Sequence, residues 1–144
     1  MDSSGNLYIA GYTSSPDFPV TPGAFRTDAG RNLFGQYISF VAKFDPTGKL
    51  VYSTYFHGEN ESSTQIGSIA ADAAGNAYLS GSDGGASLPT TPGAFQTRSS
   101  GTNAAFAAKL DPTGSKLLYS TYLSANSQVL VPMSSDLCRF WQDF

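Results

Sequence analysis

Charge, cysteine and histidine are scarce in this 144-residue chain, and each scarcity removes a class of function. Charged residues make up 13% of it, about half of the roughly 25% usual in soluble proteins. Eight Lys and Arg against eleven Asp and Glu leave a formal net charge of −3. No basic stripe is available to neutralise phosphates, so nucleic-acid binding is not expected, nor is electrostatic docking on an anionic membrane. Cys138 is the sole cysteine, so no internal disulfide can form. With His57 as the sole histidine, no Cys/His zinc set can form within one chain either. No apolar run reaches the ~18 residues of a membrane-spanning helix, so membrane insertion is not expected. Residues 1–5 lack the basic region and apolar core of a signal peptide.

What the chain does have is aromatics, at 13%, with 15 Gly, 8 Pro and many Ser, Thr and Ala. Aromatic and β-branched material among turn formers reads as all-β. The strongest signal is an internal repeat. Residues 2–27 align with 72–97: Asp2, Gly5, Asn6, Tyr8 and Gly11 match Asp72, Gly75, Asn76, Tyr78 and Gly81. In the same block Thr21-Pro22-Gly23-Ala24-Phe25 matches Thr91-Pro92-Gly93-Ala94-Phe95. After a loop that is longer in the first copy, Lys43, Asp45, Pro46, Thr47 and Gly48 match Lys109, Asp111, Pro112, Thr113 and Gly114. Then Tyr52-Ser53-Thr54-Tyr55 matches Tyr119-Ser120-Thr121-Tyr122. More than half of the aligned positions are identical, and the gaps fall where loops belong.

Each unit reads as strands separated by turns. Strands are expected over 66–72, 76–82, 104–110 and 116–123. The Asp72-Ala-Ala-Gly75 and Asp111-Pro-Thr-Gly114 steps suit tight turns, with Asp capping through its side chain and Gly accepting positive φ. Residues 83–103 hold Pro89 and Pro92 and read as a long loop, since proline cannot donate to a central ladder. In the first copy Leu50, Tyr52 and Phe56 fall on one face and Val51 and Tyr55 on the other. A four-stranded antiparallel meander with apolar or small residues on both faces is what a β-propeller blade requires, because each blade packs between two neighbours. A β-sandwich is the main rival, but it does not call for repetition of one whole sheet.

By this phasing residues 1–56 are a partial blade holding the last three strands, 57–65 an inter-blade loop, and 66–123 a complete blade. The chain then holds about 1.75 blades, against the roughly four to eight of closed propellers. It is expected to belong to a longer array or to assemble with other copies. Residues 124–144 break the pattern and hold Cys138, Trp141 and Met133. Two readings stand: a frameshifted, truncated or divergent end, or a cap in which 128–131 replaces a strand and Phe140, Trp141 and Phe144 cover an exposed face.

The three linked motifs are Asp72-x-x-Gly75-Asn76-x-Tyr78-x-x-Gly81, Thr91-Pro92-Gly93-Ala94-Phe95, and Lys109-Leu-Asp111-Pro112-Thr113-Gly114 followed by Leu118-Tyr119-Ser120-Thr121-Tyr122. Together they resemble the SBBP family of bacterial β-propeller repeats across roughly residues 2–123. The resemblance implies a multi-bladed, nominally seven-bladed propeller, usually in large secreted or surface-associated bacterial proteins. It implies an extracellular or cell-surface location and brings no catalytic residues with it.

No enzyme active site is readable, and no catalytic, cofactor-binding or metal-binding residue is assigned. His57 reads as a solvated turn residue, and the nearby Glu59 and Glu61 as solvated loop charge. Asp2, Asp45, Asp72 and Asp111 are each followed at the third position by Gly and lack the acid ladder of a calcium loop, so turn capping is the better account. Ser53-Thr54 and Ser120-Thr121 have no repeated basic partner and are not nucleophile candidates. Gly84-Gly85 precedes no Gly-Lys-Ser/Thr and suggests no phosphate loop. Lys43 and Lys109 would pair with nearby Asp or extend from an inter-blade face. Tyr8, Tyr52, Tyr55, Tyr78, Tyr119 and Tyr122 could stack on sugars, but at repeated strand positions they read as packing. The expected role is a non-catalytic scaffold or binding surface. Its partners would be other blades or other copies of the chain, with a protein or carbohydrate ligand at loops 28–39, 57–65 and 98–105. The rivals are a piece of a propeller-fold lyase or hydrolase, which would need His, Asp or Glu at blade starts where Ile66–Ala71 offers none, and a truncated gene remnant.

Overall fold

The computed structural model describes residues 1–30, 37–59, 64–85, 87–99 and 103–123. Among these the chain is all-β, with no helix. It forms two separate antiparallel sheets that do not close on themselves. The first has three strands in the order β1 (Leu7–Thr13), β2 (Ile38–Phe44), β3 (Leu50–Phe56). The second has four: β4 (Thr64–Ala71), β5 (Ala77–Asp83), β6 (Ala104–Leu110) and β7 (Leu117–Leu123). Both are simple meanders. The tail over 124–144, whether cap or divergent end, lies outside the described residues.

The turns form because each aspartate gathers the amides that a tight reversal leaves unpaired. Asp72 Oδ1 accepts from Asn76 N–H at 2.9 Å and Asp72 Oδ2 from Asn76 Nδ2 at 2.8 Å. Asp2 repeats the pattern with Asn6 at 3.0 and 2.8 Å. Asp45 and Asp111 do the same for the second hairpin, taking Lys49 N–H at 3.0 Å and Ser115 N–H at 2.7 Å. The closing glycine of the turn has positive φ in every case, for example +85° at Gly48 and +68° at Gly114.

Two details differ from the sequence expectation. Strand β4 begins at Thr64 rather than at residue 66, shortening the connection expected over 57–65. The Thr64 hydroxyl donates to the buried Asp83 carboxylate at 2.7 Å, which holds those two residues in the ladder. The simple alternation through 50, 52 and 56 also breaks. A bulge pairs Leu50 with Phe44 and Tyr52 with Lys43, leaving Val51 as the extra residue.

The loops containing Thr-Pro-Gly-Ala-Phe are not free crossings. Each folds back along the outer strand of its own sheet. Thr21 N–H donates to Ser53 O at 3.0 Å, Ser53 N–H to Thr21 Oγ1 at 3.1 Å, and Tyr55 N–H to Arg26 O at 3.2 Å. The second copy repeats this with Thr91, Ser120, Tyr122 and Gln96 at 3.0–3.1 Å. The edges of β3 and β7 are thereby occupied instead of being left open to another strand. The core lies between the sheets. Tyr8, Val41, Tyr52 and Phe56 come from the first, and Ile66, Ala77, Leu79, Phe106, Ala108, Leu110 and Tyr122 from the second.

Candidate functional site

The most developed surface is the one where the two sheets meet, and it pairs unlike faces. The first sheet contributes the cross-strand rows Tyr8–Lys43–Tyr52, Ala10–Val41–Thr54 and Tyr12–Ser39–Phe56. The second contributes the rows Ala77–Leu110–Leu117, Leu79–Ala108–Ser120 and Gly81–Phe106–Tyr122. By the repeat, the residues of the first sheet equivalent to Ala77 and Leu79 are Leu7 and Ile9, which point to its other side. The sheets therefore stack in the same sense, front of one against back of the next.

The contacts are specific. Phe56 and Phe106 stack with ring centroids 5.7 Å apart. The Tyr8 hydroxyl shares its proton between Gly75 O at 2.9 Å and Asp2 Oδ2 at 3.0 Å. Burial first, and then the hydrogen bond to Asp2, push the Tyr8 phenol well above its ordinary value, so it stays a donor. Tyr12 donates to Ile66 O at 2.8 Å, and Ser39 Oγ bridges Thr64 O at 2.8 Å and Ile66 N–H at 3.2 Å. The second sheet's turns seat on the Tyr8–Lys43–Tyr52 row. A Cβ added at Gly75 would lie 3.1 Å from Lys43 Nζ, and one at Gly114 only 2.3 Å from Tyr52 Cδ2. Gly114 O also accepts Phe25 N–H at 2.8 Å.

The sequence candidates distribute as follows. Tyr8, Tyr52, Tyr55 and Tyr122 are buried and Tyr78 and Tyr119 half-buried. Lys43 is buried with Nζ 5.0 Å over the Tyr8 ring. Lys109 lies 4.6 Å over Tyr78 and 3.4 Å from Asp72 Oδ2. Ser53 and Ser120 are buried, and neither Oγ has a partner. Thr54 and Thr121 hold the folded-back loops through Arg26 N–H and Gln96 N–H, both at 2.9 Å. Loops 28–39, 57–65 and 98–105 are described only in part, and Glu61 falls outside the described residues. Where described, 28–39 already enters β2 at Ile38, 57–65 enters β4 at Thr64, and 98–105 enters β6 at Ala104.

His57 is not the solvated turn residue expected. It is buried, with Nε2 3.0 Å from Asp28 O and Nδ1 2.7 Å from Gly58 O. A backbone carbonyl lies against each ring nitrogen, and the neutral ring, with one N–H, donates to one of the two. The loop closes over it at Gly30, whose positive φ of +65° leaves no room for a Cβ beside His57 Cε1.

Sequence reasoning passed over one buried group, Asp83. It is fully inaccessible and accepts from Thr64 Oγ1 at 2.7 Å, Tyr122 OH at 2.9 Å and the Ser87 and Leu88 amides at 3.0 and 3.3 Å. The Tyr122 hydroxyl in turn accepts Leu88 N–H at 2.8 Å. In the first sheet the equivalent Tyr55 accepts Phe18 N–H and donates to Ser15 O with no carboxylate involved. Since Thr13 stands at the position of Asp83, the repeat alignment carried no signal for it. Its four donors make Asp83 an anchor for the loop start. Among the described residues no group of three or more His, Cys, Asp or Glu is placed to hold a metal ion. No family model matches the chain, and no curated protein sequence matches it.

Proposed function

We propose that the chain is a non-catalytic scaffold module whose two sheets are β-propeller-type blades resembling the SBBP repeats, acting as a structural or binding surface in a bacterial secreted or cell-surface protein. The observation that carries this reading is the same-sense stacking of two sheets that repeat each other in sequence and strand order. A two-sheet sandwich joins two inner faces and leaves polar outer ones. Here Leu7, Ile9 and Val51 stay exposed on the first sheet, and Tyr78 and Tyr119 half-exposed on the second. Apolar outer surfaces on both ends suit units that continue in a row or ring. The buried polar groups support a scaffold role, because Asp83, His57, Thr54 and Thr121 are each occupied in holding loops to strands.

The test is architectural. Full-length chains fused in tandem, viewed by negative-stain electron microscopy, are expected to form compact rings with a central channel once they supply the ~4–8 blades of a closed propeller. Beaded strings of independent two-sheet domains would refute the blade reading.

A further inference from the structure

We infer that the outer edge of β1 takes up an added antiparallel strand from another polypeptide, an extended segment with the Thr-x-Ile-Gly-Ser-Ile pattern of β4. The inference stands on strand pairing alone and goes beyond the blade reading. The repeat sets Leu7–Thr13 of β1 against Ala77–Asp83 of β5. β5 pairs with β4 on one side and β6 on the other, whereas β1 pairs with β2 alone. Among the described residues no backbone group of β1 has a hydrogen-bond partner outside the β1–β2 ladder. Tyr8 and Tyr12 reach the second sheet through their hydroxyls, bonds that leave the backbone edge alone. Tyr8 is the one buried residue of the strand, and Leu7, Ile9 and Tyr12 are 45, 39 and 44% exposed. Folded proteins blunt such an edge with charge, proline or a bulge. The strand Leu-Tyr-Ile-Ala-Gly-Tyr-Thr holds no charge and no proline, and its ladder runs from Leu7 to Thr13 without a register shift. The edges of β3 and β7, in contrast, are each occupied by a folded-back loop.

Gly11 shows what kind of strand the edge is shaped for. Glycine inside a strand weakens it and marks a place where another backbone comes close. At the equivalent Gly81 that backbone is present: a Cβ there would overlap the Gln65 carbonyl oxygen and lie 3.0 Å from Ile66 Cα. The carbonyl comes in over Gly81 because β4 bulges at Gly67, between the pairs Ile66↔Gly81 and Ser68↔Ser80. At Gly11 the atoms nearest to such a Cβ belong to the end of the Phe40 ring, at 3.0 Å, and the nearest three include no backbone atom. A ring edge can tilt away, whereas a carbonyl fixed in a ladder cannot. The space that β4 takes up over Gly81 is thus clear of backbone over Gly11. Carried over by the repeat, the β4–β5 register sets the donor's first Ile beside Gly11 and its second beside Ile9, as Ile66 stands by Gly81 and Ile69 by Leu79. Main-chain bonds then supply affinity, and the apolar pairs supply the choice of partner. A second copy of this chain is a poor donor. Its own β4 is paired with β5, and lending it uncovers Ile66, which is 5% exposed.

The probe is a fluorescein-labelled peptide with the sequence of residues 64–71, Thr-Gln-Ile-Gly-Ser-Ile-Ala-Ala. It is titrated into the full chain and followed by fluorescence anisotropy, with amide hydrogen exchange of the chain measured in parallel. Saturable 1:1 binding is expected, with exchange slowed in β1 and unchanged in β5. A scrambled peptide of the same composition should bind more weakly by about 10-fold or more. Gly11→Ala should weaken binding by about 10-fold or more, because its Cβ meets the donor carbonyl. In the free chain that Cβ displaces only the end of the Phe40 ring, so circular dichroism should report an unchanged fold. Ile9→Lys puts a charge on the edge at an exposed position and should weaken binding likewise, and it decides the matter if Gly11→Ala does not fold. The proposal is overturned by a wild-type chain that fails to bind the peptide up to about 1 mM, the weak end of specific association. It is equally overturned if the scrambled peptide binds as well, if the folded variants bind like wild type, or if exchange changes in β5, since the peptide is then displacing β4. None of these results bears on whether fused chains form rings, so the blade reading stands or falls separately.

Discussion

At the scale of single residues, the four turn glycines look interchangeable in sequence but are not in space. Gly48 and Gly114 occupy equivalent places, with φ of +85° and +68°. Around Gly48 there is open space, while a Cβ at Gly114 would overlap the buried Tyr52 ring. Tyr52 is 1% exposed and its neighbours are packed, so the ring has nowhere to move. Gly48→Ala should therefore cost only the left-handed backbone penalty, about 1–2 kcal/mol. Gly114→Ala adds overpacking of about 1–3 kcal/mol to the same penalty. Urea denaturation of the two variants should separate them by that increment, and equal losses would mean the second sheet's turn does not seat on Tyr52. The difference was invisible in the sequence because the repeat gives both turns the same Asp-Pro-Thr-Gly. Only the stacking direction decides which one is covered. His57 teaches the same lesson: a lone histidine beside glycine reads as a turn, and nothing local announces that its ring will be buried between Asp28 O and Gly58 O.

At the scale of elements, the strands and their turns were the legible part. The four strands expected of the complete unit fall within about two residues of β4–β7, since alternation and Asp-x-x-Gly punctuation depend on local chemistry alone. The folded-back loops were not legible. Proline excludes them from a central ladder but does not forbid the Thr21 and Thr91 amides from pairing along an edge. The turns also set an acid limit on the fold. At Asp2 burial pushes the carboxyl up, but hydrogen bonds from the Asn6 side chain and amide, the Tyr8 hydroxyl and the Ser4 amide outweigh it and hold the pKa at about 2, against 3.8. Asp72 and Asp111 are lowered the same way against burial, by Asn76 and Tyr78 and by Thr113, Lys116 and Ser115 respectively. Asp45 is lowered chiefly by the Thr47 hydroxyl and the Lys49 amide. A depressed folded pKa means the unfolded chain binds protons first. The stabilisation is complete above the unfolded value of 3.8 and drains away as pH falls towards about 2. The urea midpoint should hold level above about pH 5 and fall steeply between about pH 4 and pH 2. Asp2→Asn should make that acid limb shallower, and an unchanged limb would show that the Asp2 cap contributes nothing to it.

At the scale of the whole molecule, the placement of the core decides how the chain unfolds. The main core is shared between the sheets, with a small aromatic cluster of Phe18, Phe40 and Tyr55 on the other face of the first. Val41, Tyr52 and Phe56 are buried by the second sheet, and Leu79, Phe106 and Leu110 by the first. A two-sided sheet that loses its neighbour exposes a whole apolar face, so separation costs most of the hydrophobic stabilisation at once. The two sheets should open as one cooperative unit despite being joined by no shared strand ladder. Native-state hydrogen exchange can measure this. The slowest amides of β2 and β6 are expected to share one opening free energy. Phe106→Ala removes the ring stacked on Phe56 and should lower global stability by about 3–5 kcal/mol, the usual cost of emptying a buried aromatic site. Because Phe106 sits at the inter-sheet seam, the loss should appear equally at Val41 in the first sheet and Ala108 in the second. If the β6 amides weaken while Val41 holds its protection, the sheets are independent units and their stacking is not what holds the molecule together.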